Sequence, residues 1–159
     1  MTIHAWRIVK TKHASTAFSG DGSSKYGARW NSPGAAVVYV ANSTSLAMLE
    51  RLVHLQSAKE LINCYVLFEV IFDETLLRVA DVAALPKTWR ESPPSPALQQ
   101  VGDAWIASAG SAILRVPSAI VPSEWNYLLN PAHPDFQQLT IGPKRPILFD
   151  PRLIKPTSL

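Results

Sequence analysis

Cysteine, glycine and charge are scarce in this 159-residue chain: one Cys, seven Gly, and 17% Asp, Glu, Lys and Arg. The lone Cys64 excludes an internal disulfide, and its place in an apolar run reads as a buried small hydrophobe. The four histidines, at positions 4, 13, 54 and 133, form no ligand spacing with it, so no metal is expected. Long apolar runs are missing too. The longest, Ala35 to Ala41, falls far short of the ~20 residues that span a bilayer. Met1 to Arg7 holds no apolar signal core, so the expectation is a cytoplasmic protein without a membrane partner. The sparse glycines also close familiar routes. Gly20-Asp21-Gly22 lacks the third glycine of a dinucleotide fingerprint, and neither a phosphate-binding Gly-Lys loop nor a Gly-x-Ser-x-Gly elbow occurs.

What is present is a core. Hydrophobic residues make up 47% of the 17.4 kDa chain, with mean hydropathy +0.07. A chain of this size buries roughly 70% of its unfolded surface and folds without staples. The net charge of +3, pI near 9.2, suits an anionic small molecule or an acidic partner and argues only weakly for nucleic acid. Pro33 is the one proline before residue 86; the other 12 follow. Longer regular elements therefore belong to the first half, and short strands and turns to the second.

Ile3 to Val9 reads as a strand, Thr11 to Ala28 as a polar loop, and Ala36 to Ala41 as a short buried strand. Asn42 or Ser43 caps a helix running to about Gln56, with Leu46, Leu49, Leu52 and Val53 inward. Cys64 to Phe72, apolar on both faces except at Glu69, predicts a central strand, and Leu76 to Val79 another. Ser95-Pro96 starts a second helix, carrying Leu98, Val101, Trp105 and Ala109 at helical spacing. Ala112 to Val116, Ala119 to Val121 and Pro146 to Phe149 read as strands, with a turn over Asn126 to Pro134. The order lacks β-α-β alternation, so the fold class is α+β.

Four places put polar groups where the pattern predicts burial. Arg29, in Gly27-Ala28-Arg29-Trp30-Asn31, is either a structural arginine on loop carbonyls or a fork for phosphate or carboxylate. Tyr39, inside the buried strand, is a core tyrosine or a stacking face for a flat ring. Glu50 shares a helical stripe with Leu46 and His54, as a rim residue paired to His54 or Arg51 or as a carboxylate at a pocket edge. Ser118, between Pro117 and Ala119, is a tolerated small residue or a hydroxyl held in one direction. The Asn126 to Asn130 stretch caps strand ends or supplies donors.

Together, Trp6-Arg7-Ile8, Gly27-Ala28-Arg29-Trp30-Asn31, Val38-Tyr39-Val40-Ala41, Leu49-Glu50 with Val53-His54, and Val116-Pro117-Ser118 with Asn126-Tyr127-Leu128-Leu129-Asn130-Pro131 resemble the RES family, named for Arg, Glu and Ser. The resemblance runs from Trp6 to about Asp150 and implies a single RES domain over 1–159 with its core at about 6–150. It implies an ADP-ribosyltransferase-like α+β fold with a cleft for NAD⁺ as substrate, and a toxin of a bacterial toxin–antitoxin pair that consumes NAD⁺ at the nicotinamide–ribose bond by hydrolysis or phosphorolysis. It further implies an Xre-type antitoxin partner in a hetero-oligomer, with DNA contacted only through that partner.

Carried over, the family's catalytic residues fall at Arg29, Tyr39, Glu50 and Ser118. Glu50 is then the carboxylate that offsets a developing sugar cation. Arg29 holds the pyrophosphate with Arg7 as second candidate, Tyr39 packs on the nicotinamide or its ribose, and Ser118 fixes a hydroxyl or amide. Arg7 and Asn130 match motif positions on the substrate-binding side. One alternative is a protein mono-ADP-ribosyltransferase, against which Met48 stands where such enzymes carry a second acidic or amide residue. Another is an RNA-binding or ribonuclease toxin, favoured by pI, five tryptophans and His54.

Overall fold

Alternation in the first ten residues makes a strand, and in the computed structural model, which describes residues 1–55, 57–62 and 64–153, Thr2–Lys10 is β1. The expected loop after it holds a 3-10 turn, Thr11–Thr16, and a six-residue helix α1, Asp21–Tyr26. β2, Val38–Ala41, leads directly into α2, Thr44–Leu52; the Ser43 hydroxyl accepts the Leu46 N–H at 3.0 Å and caps the helix. α2 ends at Leu52, short of the expected end, and Gln56 lies outside the described residues. β3, Tyr65–Asp73, and β4, Leu77–Val79, follow, then α3, Pro96–Ser108, with Ser95 as its cap and proline at its first position. β5 (Ile113–Pro117), β6 (Trp125–Leu129), β7 (Thr140–Ile141) and β8 (Arg145–Ile147) are the remaining described strands.

The eight strands form one mixed sheet in the order β4-β5-β6-β2-β1-β3-β7, with β8 also on β3. Among the described strands, only β4 and β5 pair in parallel. With its three helices outside the sheet, the fold is α+β, as expected. The sheet curls, so Val38, Val40, Ile113 and Leu129 from one end share a core with Ala5, Val70 and Phe72 from the other. On the other face, α3 seats Leu98 and Trp105 against Trp30, Val37, Leu114 and Leu128. Among the described residues, no helix is long and apolar enough to cross a membrane.

Pairing is uneven along the sheet. β1 and β3 stay in register over nine residues, from Thr2↔Asp73 to Lys10↔Tyr65. β1 and β2 meet in one register pair, Trp6↔Ala41, and diverge beyond it.

Several expectations need correction. Cys64 is exposed: it precedes β3, where its carbonyl accepts the Thr11 N–H at 2.9 Å and its side chain misses the core. β3 is not central in order. It buries one face, with Val66, Phe68, Val70 and Phe72, while Leu67, Glu69 and Ile71 on the other are half-buried, and β7 and β8 pair its outer edge at Val70–Ile71 and at Tyr65–Leu67. Ala119 to Val121 is a bend, since the Ile120 and Val121 amides turn back onto the Ser118 hydroxyl, each at 3.1 Å. Asn126 to Leu129 is strand, pairing Ala41 to Val38 of β2, so the turn begins only at Asn130. On α2, Leu46 and Ala47 face inward while Leu49 and Val53 are 38% and 57% exposed.

Candidate active site

A cavity of about 770 Å³ lies along the divergence of β1 and β2, lined by Trp6, Arg7 and Ile8 of one and Tyr39, Val40 and Ala41 of the other. The remaining walls come from Tyr26 to Trp30, the last turn of α2, the Arg90 to Pro94 segment, Gln99 of α3, Ala119–Ile120 and Asn126. Among the described residues, four arginines line it (Arg7, Arg29, Arg51 and Arg90), together with His54 and one carboxylate, Glu50. Its field therefore favours an anion of more than one charge, with a single negative group set into the basic wall.

Glu50 reaches the cleft by helical geometry. Leu46 and Ala47 pack on Ile8, Ala41 and Tyr65. Glu50 lies one turn further along the same side, where that packing opens into the cavity. Its Oε1 accepts the Ser118 hydroxyl at 3.0 Å and the Asn126 amide, Nδ2–H, at 2.6 Å. Charged acceptors make such bonds short and strong.

Ser118 is fully buried and does not line the cavity. Its oxygen accepts from the Ile120 and Val121 amides, which leaves its one proton to donate to Glu50. The hydroxyl points one way, as its proline-flanked setting suggested, but toward the carboxylate.

The Arg29 segment is a built loop. Trp30 is buried under α3, and Asn31, fully buried, donates from Nδ2 to the Ser23, Ser32 and Ala35 carbonyls at 3.1 Å each. Its Oδ1 accepts the Tyr39 hydroxyl at 2.5 Å, and the Trp30 N–H donates to that same hydroxyl at 3.2 Å. Burial pushes the Tyr39 phenol far above its ordinary range, with the Trp30 amide pulling weakly the other way. Tyr39 thus offers the cavity its ring, its hydroxyl being engaged. Arg29 donates from Nη1 to the carbonyls of Trp89 and Glu91, at 3.2 and 2.8 Å, so it does bind loop carbonyls while also lining the cleft.

Arg7 spans the strand divergence: Nε donates to the Ala17 carbonyl at 2.6 Å and Nη1 to the Tyr39 carbonyl at 2.9 Å. Burial first, then neighbouring Arg51, lowers its pKa to about 10, which leaves it a cation at neutral pH. Arg51 Nη2 donates to the Ile8 carbonyl at 3.1 Å. Ladder acceptors freed by the parting strands are satisfied by arginine side chains. Asn130 stands apart. It does not line the cavity, and its Oδ1 accepts the Ala132 N–H at 3.0 Å to close the turn after β6.

Sequence reasoning gave Arg51 and Arg90 no place in the cleft, and it offered Asn126 only as part of a stretch that caps strand ends or supplies donors. The place of Asn126 comes from pairing: on β6 it stands opposite Ala41, beside the helix start that delivers Glu50. Arg90, held by its Nε on the Ala119 carbonyl at 3.1 Å, comes from a proline-rich stretch with no pattern to read. Among the described residues, no group of three or more His, Cys, Asp or Glu is placed to hold a metal.

The curled mixed sheet is a fold seen elsewhere. The crystal structure of the M. tuberculosis MbcT–MbcA toxin–antitoxin complex contains a chain that superposes with TM-score 0.75 over 96% of this chain and 87% of that one, at 20% identity. Sequence relatives are nearer. Toxin Res of Yersinia enterocolitica serotype O:8 / biotype 1B is 38% identical over 150 residues, 93% of this chain and 97% of that protein. The Prs ADP-ribosylating toxin of Sphingobium sp. (strain YBL2) is 41% identical over 160 residues, 98% and 99% of the two chains. The RES domain family model matches residues 4–150, and the chain belongs to that family.

Proposed function

We propose that this protein is the toxin of a toxin–antitoxin pair and that it consumes NAD⁺ by cleaving the bond between nicotinamide and ribose. The observation that carries this reading is Glu50, among the described residues the one carboxylate in a cleft lined by four arginines, held there by two donors. Relatives named as toxins support the biological role, and one named as ADP-ribosylating supports the dinucleotide. NAD⁺ is a substrate here, and the mechanism calls on no metal. The antitoxin partner is proposed from the neighbour solved as a toxin–antitoxin complex, its Xre type from the family resemblance. A cytoplasmic location follows from the substrate.

The chemistry needs little from the protein beyond charge. The C–N bond breaks with its electron pair going to the pyridinium nitrogen, which leaves as neutral nicotinamide. The ribosyl carbon becomes an oxocarbenium-like centre, and the Glu50 carboxylate offsets its charge. Water or phosphate then bonds to that carbon through oxygen and gives up a proton. Arg29 is assigned the pyrophosphate, with Arg7 assisting through its remaining N–H groups. Tyr39 packs against the nicotinamide or its ribose. Ser118 acts on Glu50 and not on substrate.

Glu50→Gln keeps shape and removes charge. We expect NAD⁺ turnover to fall about a thousandfold with folding intact, measured by nicotinamide release in phosphate and in phosphate-free buffer. Free ADP-ribose marks hydrolysis, and its phosphate ester marks phosphorolysis. Turnover near the wild-type rate in Glu50→Gln ends this reading. The 41% identity to a protein named as ADP-ribosylating favours protein as a second acceptor, which labelled NAD⁺ with added lysate protein reveals as a modified band.

A further inference from the structure

We infer that Asn126 is a positioning residue for the reaction, because it and Ser118 together fix which oxygen of Glu50 meets the substrate. The inference rests on the role proposed for Glu50 above and adds a named residue to it.

Both donors converge on Oε1, Asn126 Nδ2 at 2.6 Å and Ser118 Oγ at 3.0 Å, and Oε2 has no donor among the described residues. A carboxylate free to rotate presents either oxygen. This one is pinned through Oε1, so Oε2 is the oxygen left for a ribose hydroxyl or for the cation that forms. The two donors differ in what else they do. Ser118 also takes the Ile120 and Val121 amides, so its loss orphans two backbone donors along with Glu50. Asn126 lines the cleft, and among the described residues its side chain bonds to Glu50. Its amide must turn Nδ2 toward the carboxylate, since Oδ1 in that place would set oxygen against oxygen. The sheet supports the arrangement: Asn126 lies between Ala41 of β2 and Val116 of β5, two residues from Ser118, while Glu50 descends from the helix that follows Ala41. Strand register, not loop placement, sets the 2.6 Å contact.

The test compares Asn126→Ala and Asn126→Asp. Asp has the shape of Asn and replaces the donor by an acceptor facing Glu50. If Asn126 merely fills space, Asp is the milder change; if it anchors the carboxylate, Asp is the worse one. We expect kcat for NAD⁺ to fall about tenfold in Asn126→Ala and a hundredfold or more in Asn126→Asp, a loss of the size seen when an oriented donor is removed. KM should change less than about threefold in both. Each variant is compared with wild type by circular dichroism and thermal melting. If Asp prevents folding, the kcat and KM of Asn126→Ala decide alone. Wild-type kcat in Asn126→Ala, or a milder effect of Asp than of Ala, overturns the inference while Glu50→Gln remains inactive. Activity in Glu50→Gln fails the underlying reading instead.

Discussion

A Cβ on Gly102 would stand 1.8 Å from the carbonyl oxygen of Trp30, so α3 meets the Arg29-Trp30-Asn31 loop at a distance only glycine allows. Gly102→Ala must push helix and loop apart. We expect a loss of at least about 2 kcal/mol, read as a lower melting temperature, with a raised KM because Arg29 moves with the loop. Arg29 holds the backbone of Trp89 and Glu91 with one nitrogen of its planar fork, a geometry lysine lacks. Arg29→Lys should therefore raise KM for NAD⁺ about tenfold with a smaller change in kcat; an unchanged KM removes it from substrate binding. At this scale the sequence was legible in residue type and not in direction. At Arg29 the loop carbonyls are engaged as one alternative had it, and the same guanidinium also borders the cleft. Ser118 is as directional as its flanking suggested, but it faces a side chain 68 positions earlier in the chain. Asn130, a good motif match, spends its oxygen on the next turn. Such destinations depend on register between strands far apart in sequence, which no local pattern encodes.

Helix starts were the most readable elements because their physics is local. Ser43 and Ser95 each accept the backbone N–H three residues on, from Leu46 and Leu98. Ser95→Ala should cost about 1 kcal/mol in denaturant melts and leave turnover within about twofold, because α3 borders the cleft only through Gln99. Ser43→Ala should cost a similar amount and also lower kcat, since it loosens the start of the helix that carries Glu50. Elements without a buried stripe escaped notice. α1 and the 3-10 turn over Thr11–Thr16 bury no residue, so neither carries a hydrophobic period. Ala119 to Val121 looked like a strand because its residues are apolar, and two amides closing on one serine oxygen bend it instead.

For the molecule as a whole, buried phenols set the response to alkali. Burial raises the Tyr39, Tyr65 and Tyr127 hydroxyls above their ordinary 10.0. Above that pH the unfolded chain releases these protons while the folded one keeps them, so stability falls as pH rises. Arg7, lowered from the ordinary arginine range to about 10, acts in the opposite sense: above about pH 10 the unfolded chain holds the extra proton. Tyr39 carries the largest upward shift of the three phenols, so Tyr39→Phe should show a shallower decline above pH 10 than wild type in melts taken across that range. The α+β class was legible from the order of elements. The curl that joins the two ends of the sheet in one core was not, because it arises from long-range pairing.

The parting of β1 from β2 has a mechanical meaning. The half-sheet β4-β5-β6-β2 is joined to β1 and β3 by the Trp6↔Ala41 pair, by the Arg7 reach to Tyr39 and by a shared core, so the seam with the shortest ladder among the described strands opens onto the cleft. Whatever fills that space splints the seam. ADP-ribose at a hundred times its dissociation constant should then add about 2.7 kcal/mol to unfolding, visible as a higher melting temperature, and should slow amide exchange along Trp6 to Ile8 and Tyr39 to Ala41 before any other part of the sheet.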